Sequence, residues 1–179
     1  PATLEEKKKA LTPAAVKKKV AVIGGGIGGM EAARVAALRG HSVTLYEKSG
    51  ELGGVFIAAA APSFKEKDKM LIAWYIRQLE KLKVDIRLDS EITPENLSSL
   101  DADEIIIATG AKCRSLRADG ADRENVMNAV EYLRGYKETG ENVVIVGGGW
   151  GGCAAACSAR RAGARAALLE RTDMLLGTG

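Results

Sequence analysis

Long apolar runs, cysteine and histidine are scarce in this sequence of 179 residues, which has three cysteines and one histidine. No apolar stretch approaches the ~20 residues that a helix needs to cross a bilayer, and the chain does not open with a secretory signal pattern. Three cysteines cannot build a disulfide framework, and an odd number fits a reducing compartment. These absences predict a cytoplasmic protein without a membrane segment.

The cysteines and the histidine do not have the pattern of a metal site. Cys153 and Cys157 are four residues apart, on one face of a predicted helix, whereas His41 is far away in the sequence. Two ligands are too few for a zinc or iron–sulfur site. We therefore expect both cysteines to be small packing residues, as buried free cysteines usually are, and we expect no metal.

Charge is nearly balanced, with a formal net charge of +3. Lysine runs at 7–9 and 17–19 have no aromatic residues between them, so they favour a solvated tether over a nucleic-acid site. We expect residues 1–17 to be an N-terminal arm or linker. Nucleic-acid binding by this arm stays open as the weakest alternative.

The 21 glycines cluster in two similar stretches, VAVIGGGIGGMEAA (20–33) and VVIVGGGWGGCAAA (143–156). Each stretch joins a β-branched run, typical of a buried parallel strand, to a G-x-G-x-x-G loop and then to small residues that suit a helix packed on a sheet. A second strand, over 41–47 or 165–170, follows each predicted helix. The sequence therefore predicts an internal duplication of a βαβ unit.

The other segments extend this pattern. Strands that alternate with helices indicate the α/β class, here a Rossmann-like doubly wound parallel sheet with a second, truncated βαβ nucleotide-binding unit. The other predicted elements are a helix from Gly28 to Gly40, a helix over 65–82, a strand over 84–89, a helix start at 93–95, a third buried strand over 103–110, a short helix over 126–135, the strand NVVIV before the second loop and the helix CAAACSARRAG after it.

Each glycine of the repeated loop has a mechanical task in a dinucleotide site. The first makes a tight turn, the second lets the pyrophosphate approach, and the third lets the helix contact the strand. Unpaired N–H groups at the helix start, together with the positive end of its dipole, hold the phosphates. The glycines concerned are Gly24, Gly26 and Gly29 in the first loop and Gly147, Gly149 and Gly152 in the second.

An acid closes the second strand of each unit at the same distance from its loop. Glu47 follows Gly24 by 23 residues, and Glu170 follows Gly147 by the same interval. A carboxylate at this place takes ribose hydroxyls. The recurrence of strand, loop, helix, strand and acid predicts two dinucleotide sites. The structural alternative, glycines used only for helix–sheet packing, leaves both acids unexplained.

Three motifs in this order resemble a known family. KKVAVIGGGIGGMEAARVAALRGHSVTLYEKSGELGG, then DADEIIIATGA, then VVIVGGG is similar to the C-terminal FAD/NAD(P)-binding part of Old Yellow Enzyme-like flavin oxidoreductases, among them enoate reductase, 2,4-dienoyl-CoA reductase and trimethylamine dehydrogenase. The resemblance covers about residues 18–172. It implies a Rossmann-like domain for the ADP moiety of FAD over 18–112, a connection over 113–140 and the truncated start of an NAD(P)H domain over 141–179.

The resemblance also implies roles for individual residues. The first loop would hold the FAD pyrophosphate and the second a nicotinamide dinucleotide. No side chain is implied to be catalytic, because hydride transfer from nicotinamide to flavin is cofactor chemistry. The further implied FAD contacts are Glu47 at the ribose, Lys48 and Gly54 near the ribityl–phosphate region, the Ile92 backbone at adenine, and Thr109 and Gly110 close to the FAD; the nicotinamide dinucleotide would meet Gly147, Gly149, Gly152, Glu170 and Arg171.

By this resemblance the chain is the FAD- and NAD(P)H-binding electron-input module of a multidomain enzyme that reduces an activated alkene or oxidises an amine elsewhere. FMN and an iron–sulfur cluster would belong to a missing N-terminal part, with an FMN-barrel domain or subunit as partner and a second copy of the chain as a further one. The family completes its FAD domain after the NAD(P)H domain, whereas this chain stops at residue 179. A non-enzymatic fragment or subunit that holds ADP or a dinucleotide is the alternative.

The second acid also bears on the choice of nucleotide. Glu170 would repel the 2′-phosphate of NADPH at close range, although the neighbouring Arg171 has the chemistry to receive that phosphate. Since the acid occupies the strand end itself, we expect NADH over NADPH.

Overall fold

A computed structural model describes residues 10–113 and 117–176. The described chain divides into two compact units. The first consists of the residues up to Gly54 together with Met70–Gly110, and the second of Val55–Lys69 together with the residues from Ala111 onwards. Lysines 7–9 of the predicted arm, residues 114–116 of the predicted connection and the last three residues of the predicted NAD(P)H domain lie outside the described residues.

The first unit is built on a four-stranded parallel sheet in the order β3-β2-β1-β4. Helix α1 connects β1 to β2 and lies against both strands. The strands and the helix are β1 (Lys19–Ile23), α1 (Ile27–Leu38), β2 (Ser42–Tyr46), β3 (Asp85–Arg87) and β4 (Glu104–Ile107). A central first strand flanked by its βαβ partner and by a later strand is the predicted Rossmann-like arrangement.

The core of the first unit lies where β1 and β2 meet α1. Val22 and Leu45 from the strands and Met30 and Ala33 from the helix are all completely buried in one cluster. Alternate residues of a strand point to one face, and small residues let the helix approach that face closely. The tight packing expected from the sequence is therefore present.

Helix α3 (Glu66–Lys81) follows the short helix α2 (Phe56–Ala60) and occupies most of the predicted range 65–82. Leu79 is completely buried in the core cluster, and Tyr75 packs against it. Met70 shares the helical spacing of Ala73, Ile76 and Leu79, which predicts a buried position, but it is 67% exposed. The fully buried residue of this helix is Leu79, near its C-terminal end.

Strand β4 forms as predicted but is not the buried strand that its sequence indicates. Ile105, Ile106 and Ile107 are 40%, 36% and 71% exposed. In the described residues β4 pairs only with β1 and forms the edge of the sheet. The apolar run correctly predicts a strand. Its exposure depends on whether other elements pack against it.

The segment 93–95 does not start an α-helix, contrary to the sequence prediction. The chain makes a turn and a three-residue 3₁₀-helix, Leu97–Ser99, with Asn96 before it. The Asn96 side chain accepts a hydrogen bond from Thr93 N at 2.8 Å. Leu97 N also donates to Thr93 O at 3.0 Å, so the predicted start forms one turn, but no α-helix continues it.

The second unit contains a two-stranded parallel sheet covered on one face by a helix. These elements are α4 (Ala129–Leu133), β5 (Asn142–Val146), α5 (Trp150–Arg161) and β6 (Arg165–Leu169), and α4 packs on α5. Burial alternates along both strands. Val144, Val146 and Leu169 point to the face that no described element covers, and each is more than half exposed.

The two βαβ units repeat each other in backbone detail. Gly24 N donates to Tyr46 O, and Gly147 N donates to Leu169 O, both at 2.8 Å. The hydrogen bonds after the two helices also correspond, since His41 N donates to Ala36 O and Ala164 N donates to Ala159 O. The predicted internal duplication is thus a duplication of structure.

The described part of the arm, residues 10–17, has no helix or strand. It is tied to α1 by a hydrogen bond from Ala14 N to Arg39 O at 2.9 Å. Lys18 and Lys19 form exposed ion pairs with Glu104 and Asp101, which raise the pKa of both lysines. No helix within the described ranges is long and apolar enough to cross a membrane.

Candidate nucleotide-binding sites

Two of the glycines in the first loop are required by the packing of the protein itself. Gly24 has φ +107°, and a Cβ there would overlap the carbonyl oxygen of Ala108. A Cβ at Gly29 would overlap the carbonyl oxygen of Gly24. These positions make the turn and the close contact between helix and strand that the motif predicts.

Gly26, between them, is different. It is the N-cap of α1 in an ordinary extended conformation, and a Cβ there would meet no protein atom within 4 Å. The first helical hydrogen bond runs from Met30 N to Gly26 O at 2.9 Å. The N–H groups of the first turn therefore have no acceptor within the helix. Neither packing nor backbone strain explains a glycine here, whereas an approaching phosphate would.

The segment after β2 returns to the loop. Gly53 N donates to Gly25 O at 2.9 Å. Gly54 has φ +56°, and its Cβ would lie 3.2 Å from the Cα of Gly26. Gly54, chosen from the family resemblance, is therefore adjacent to the open glycine. Its missing side chain keeps this side of the loop clear.

The remaining residues predicted for the first site divide into two groups. The backbone of Thr109 passes the loop, because a Cβ at Gly24 would lie 3.1 Å from Thr109 N, and Gly110 follows with φ +71°. Lys48 is exposed directly after Glu47. Ile92 is half-buried, and no hydrogen bond among the described residues joins it to the loop.

Glu47 links the first loop to the turn that follows β2. Its side chain is buried, with 7% exposure, and Oε2 accepts a hydrogen bond from Gly25 N at 2.6 Å. Oε1 accepts from Ser49 N at 2.9 Å and from Ser49 Oγ at 2.8 Å. Burial by itself disfavours the charged form, but the bonds from Ser49 and Gly25 together outweigh it, so the pKa of Glu47 is lowered.

The second loop has the same division of tasks. A Cβ at Gly152 would overlap the carbonyl oxygen of Gly147, and Gly147 itself has φ +104°. Gly149, the N-cap of α5, is extended, and a Cβ there would meet nothing within 4 Å. In each loop the middle motif glycine is therefore the one that neither a steric clash nor a positive φ requires.

Glu170 repeats the contacts of Glu47 in a more exposed setting. Oε2 accepts from Gly148 N at 2.5 Å, and Oε1 accepts from Arg171 N at 2.7 Å and from Thr172 N at 3.1 Å. The bond from Gly148, followed by those from Thr172 and Arg171, lowers the pKa of Glu170. Arg171 is exposed, and its described hydrogen bond to Glu170 comes from its backbone N–H.

Sequence reasoning missed the residues that hold each acid. Ser49 and Thr172 stand two residues after their glutamates. Leu52 lies against Gly25, and Leu175 lies against Gly148. Their signal was the continuation of the repeat beyond the acid, as E-K-S and E-R-T followed three residues later by leucine. A repeat in which these positions agree extends the duplicated unit past the strand end.

The cysteines do not all behave as buried packing residues. Cys157 and Cys113 are exposed, which corrects the expectation for Cys157, and Cys153 is half-buried with Sγ 3.3 Å from Gly148 O. Position 157 lies on the side of α5 that faces away from the buried alanines of that helix. Among the described residues, no group of three histidine, cysteine or acidic side chains could hold a metal ion.

Comparison with known proteins decides the family. Residues 18–179 match the model of the pyridine nucleotide-disulphide oxidoreductases. The chain belongs to this family. Membership confirms the α/β nucleotide-binding fold and the oxidoreductase class, and it implies binding of FAD and NAD(P)H.

Individual relatives specify the branch of the family. The chain is 42% identical over 179 residues to cinnamate reductase of Clostridium sporogenes, covering 100% of this chain and 27% of that protein. It is 40% identical over 161 residues to an NADH oxidase of Thermoanaerobacter brockii, covering 88% and 25%. Among solved structures, a 2-naphthoyl-CoA reductase complex superimposes with a TM-score of 0.88 at 34% identity, covering 93% and 25%.

These relatives confirm the resemblance to the FAD/NAD-binding part of enoate reductase-type enzymes. The chain spans about a quarter of the length of the relatives, 27% of one and 25% of the other two. The relatives are therefore much longer proteins, in which this region is accompanied by other parts. The predicted domain bounds and site residues stay predictions.

Proposed function

We propose that this chain is the electron-input module of a larger flavin oxidoreductase, with the ADP part of FAD at the first loop and NADH at the second. The observation that carries the proposal is the pair Gly26 and Gly149. Both are glycines at helix N-caps that nothing in the protein's own packing requires. A dinucleotide pyrophosphate needs this combination of open space, free N–H groups and helix dipole.

At the first site, Gly24 and Gly29 shape the loop, and Gly26 with Gly54 clears the approach to it. The N–H groups of the first turn of α1 would hold the pyrophosphate, and the Glu47 carboxylate would accept a ribose hydroxyl. Lys48, which is exposed beside Glu47, would face the ribityl–phosphate region. We further assign the Ile92 backbone to adenine and Thr109 and Gly110 to the edge of the FAD site.

At the second site, Gly147 and Gly152 shape the loop, Gly149 leaves the approach to the pyrophosphate open, and Glu170 would accept a ribose hydroxyl. Arg171 would lie at the mouth of this site, since its backbone N–H binds Glu170 and the residue is exposed. The fit is weaker than at the first site in burial, since Glu170 is less enclosed than Glu47.

The chain's own residues bind and orient, and none is assigned as an acid, base or nucleophile. When bound, the nicotinamide and the flavin supply the hydride chemistry. In this scheme residues 18–112 serve FAD, 113–140 connect, and 141–179 begin the NAD(P)H domain. FMN, an iron–sulfur cluster and the reduction of an activated alkene or oxidation of an amine belong to an FMN-barrel partner in the cytoplasm, and a second copy of the chain is a further partner.

Substitution of Gly26 by valine tests the first site. The backbone at Gly26 suits any residue and a Cβ there would meet no protein atom within 4 Å, so Gly26→Val should fold normally. It should lose binding of FAD and ADP, measured by calorimetry, because the side chain occupies the path of the pyrophosphate. Gly140→Val, at another open glycine outside both loops, is the matched control and should bind as the wild type does.

Unchanged affinity in Gly26→Val would contradict the assignment of the loop. The electron-input role has its own test, in which NADH is added to the FAD-loaded protein and the flavin absorbance is followed. Bleaching supports the proposal. Tight FAD binding without bleaching by NADH would instead identify a non-enzymatic nucleotide-binding unit.

A further inference from the structure

Two hydroxyl side chains occupy the same place in the two units. Ser49 Oγ lies 2.8 Å from Oε1 of Glu47, and Thr172 Oγ1 lies 3.3 Å from Oε1 of Glu170. Both stand two residues after the glutamate that closes the second strand. Neither hydroxyl has a role in the motif that predicts the loops, so the repeated contact needs its own explanation.

The contacts divide the two oxygens of each glutamate between two tasks. In the first unit, Oε2 of Glu47 receives Gly25 N from the loop, while Oε1 receives the N–H and the hydroxyl of Ser49 from the turn. A partial rotation of the carboxylate about its last bond would break both sets of hydrogen bonds, whereas a half-turn restores them because the two oxygens are equivalent. The Ser49 contacts therefore fix the carboxylate plane that the loop meets.

This division determines where a ribose hydroxyl can be accepted. An ionised carboxylate offers about four acceptor positions, two on each oxygen. At Glu47 the bonds from Ser49 fill both positions of Oε1, and Gly25 N fills one position of Oε2. The remaining position is on Oε2, the oxygen that is turned to the glycine loop.

The hold should be stronger in the first unit. Each hydroxyl has one proton and two acceptors within reach, the carboxylate and a backbone carbonyl. For Ser49 the carboxylate is nearer, at 2.8 Å against 3.0 Å to Glu51 O. For Thr172 the carbonyl of Met174 is nearer, at 3.1 Å against 3.3 Å to Glu170.

We propose that Ser49, and more weakly Thr172, is a positioning residue that holds the strand-end glutamate with Oε2 toward the glycine loop and so presents this oxygen to a nucleotide ribose. The ribose part of this inference rests on the proposed function. The inference adds a residue and an atom to it, and it ranks the two sites by how firmly the acid is held.

Four variants of the chain test this role, Ser49→Ala and Ser49→Thr in the first unit, and Thr172→Ala and Thr172→Ser in the second. Loss of a hydrogen bond to a charged group predicts that Ser49→Ala weakens ADP and FAD binding by about tenfold. Ser49→Thr, which keeps the hydroxyl, should restore most of it. Thr172→Ala should weaken NADH binding by a smaller factor, and Thr172→Ser should bind as the wild type does.

A second measurement separates positioning from general loss of structure. Carbon-13 NMR titration of the Glu47 carboxyl should show that its pKa rises in Ser49→Ala and stays low in Ser49→Thr, because the hydroxyl stabilises the charged form. The pH at which ADP binding falls off in acid should rise with it. Weaker binding at all pH values with an unchanged Glu47 titration would overturn the inference, as would unchanged binding and titration.

Failure of the proposed function is distinguishable from failure of this inference. If the wild-type chain binds neither ADP nor FAD at any pH, the nucleotide assignment is wrong, and the ribose part of the inference fails with it. The titration still decides whether Ser49 holds Glu47. If the wild type binds ADP and Ser49→Ala binds equally well, only the inference fails.

Discussion

The loop after β1 and the loop after β5 share their backbone hydrogen bonds but differ in their surroundings. In the first, β4 brings the Ala108 carbonyl against Gly24, so this glycine is enclosed. In the second, the described sheet has two strands, and a Cβ at Gly147 would meet nothing within 4 Å. The loop therefore takes its shape without the neighbouring strand. Its geometry is local, while its enclosure is not.

The acids show the same contrast. Glu47 is buried and ionises against the cost of burial, because Ser49 and Gly25 supply hydrogen bonds. Glu170 keeps a low pKa mainly through the bond from Gly148, with little desolvation to oppose it. The hydrogen bonds around the strand-end glutamate therefore form whether or not the glutamate is buried. We expect burial to determine how much these hydrogen bonds contribute to stability. The following experiments separate these two contributions.

The largest effect is expected where both loops are tightest. Gly29→Ala and Gly152→Ala would each place a Cβ on the loop's own carbonyl oxygen, so each should lower the free energy of unfolding by about 3 kcal/mol. The effect should be equal in the two units, because the clashing atom belongs to the same loop in each case. Gly28→Ala and Gly151→Ala, which have open space, are the controls and should change stability by less than about 1 kcal/mol.

The two tryptophans allow the units to be followed separately in urea denaturation. Trp74 lies in the first unit and Trp150, which is 71% exposed, in the second. Replacing one of them by phenylalanine leaves the other as the only tryptophan reporter. A strong effect of Gly29→Ala with a weak effect of Gly152→Ala would break the equivalence of the loops.

A second pair of substitutions should reveal the difference in enclosure. Gly24→Ala combines a positive φ with a clash against the Ala108 carbonyl and should cost about 3 kcal/mol. Gly147→Ala has the positive φ alone and should cost about 1–2 kcal/mol. The same denaturation experiments measure both. Equal costs would show that the second loop is as enclosed as the first.

Acid sensitivity should distinguish the two glutamates. The pKa of Glu47 is lowered from the ordinary 4.5, so its stabilisation is fully present above about pH 4.5 and is lost as the pH falls through the folded-state pKa. Glu47→Gln should lower the free energy of unfolding by about 2 kcal/mol at neutral pH. The wild-type and variant curves should converge in acid.

Glu170→Gln is the matched variant, with the same direction and a smaller effect, because this carboxylate is less buried than that of Glu47. Unfolding curves between neutral pH and pH 3 measure both variants. An effect of Glu170→Gln as large as that of Glu47→Gln would show that Glu170 is buried by something outside the described residues.

The smallest effect concerns the nucleotide at the second loop. Two like charges about 4 Å apart in water repel by about 1 kcal/mol, so we expect NADH to bind about fivefold more tightly than NADPH. Glu170→Ala should narrow this preference, and Arg171→Ala should widen it, since the guanidinium is the group that would receive a 2′-phosphate. Titration of both nucleotides provides the measurement. Tighter NADPH binding by the wild type would contradict the assignment of Glu170.

Part of the candidate site could be read along the chain. The strands, both loops, their helices and the two acids lie within one βαβ unit each, and short-range hydrogen bonds build them. Ser49 and Thr172 belong to the same local pattern and were missed because the motif was thought to end at the acid. Gly54 was chosen by resemblance, and its place against Gly26 emerged only in three dimensions.

Other expectations depended on partners that sequence patterns do not identify. Ile107 has a strand-forming neighbourhood but lies exposed at a sheet edge, and Met70 has the spacing of a buried residue but is 67% exposed. At 93–97 the predicted first turn forms, with Leu97 N donating to Thr93 O, but the chain continues only as a three-residue 3₁₀-helix. The spacing of apolar residues indicates which positions could be buried or helical. The surrounding tertiary structure determines which of them are.

By itself, the sequence determined the duplicated strand–loop–helix–strand unit, its strand-end glutamates and the family to which the chain belongs. These follow from glycine's conformational freedom and from hydrogen bonds between residues that are close in sequence. Only the tertiary structure decided that Glu47 is enclosed and Glu170 is not, that Gly26 and Gly149 stand open while Gly29 and Gly152 are packed, and that β4 forms an edge. Burial depends on the residues that pack against a side chain, and these come from distant parts of the chain, as Ala108 does at Gly24.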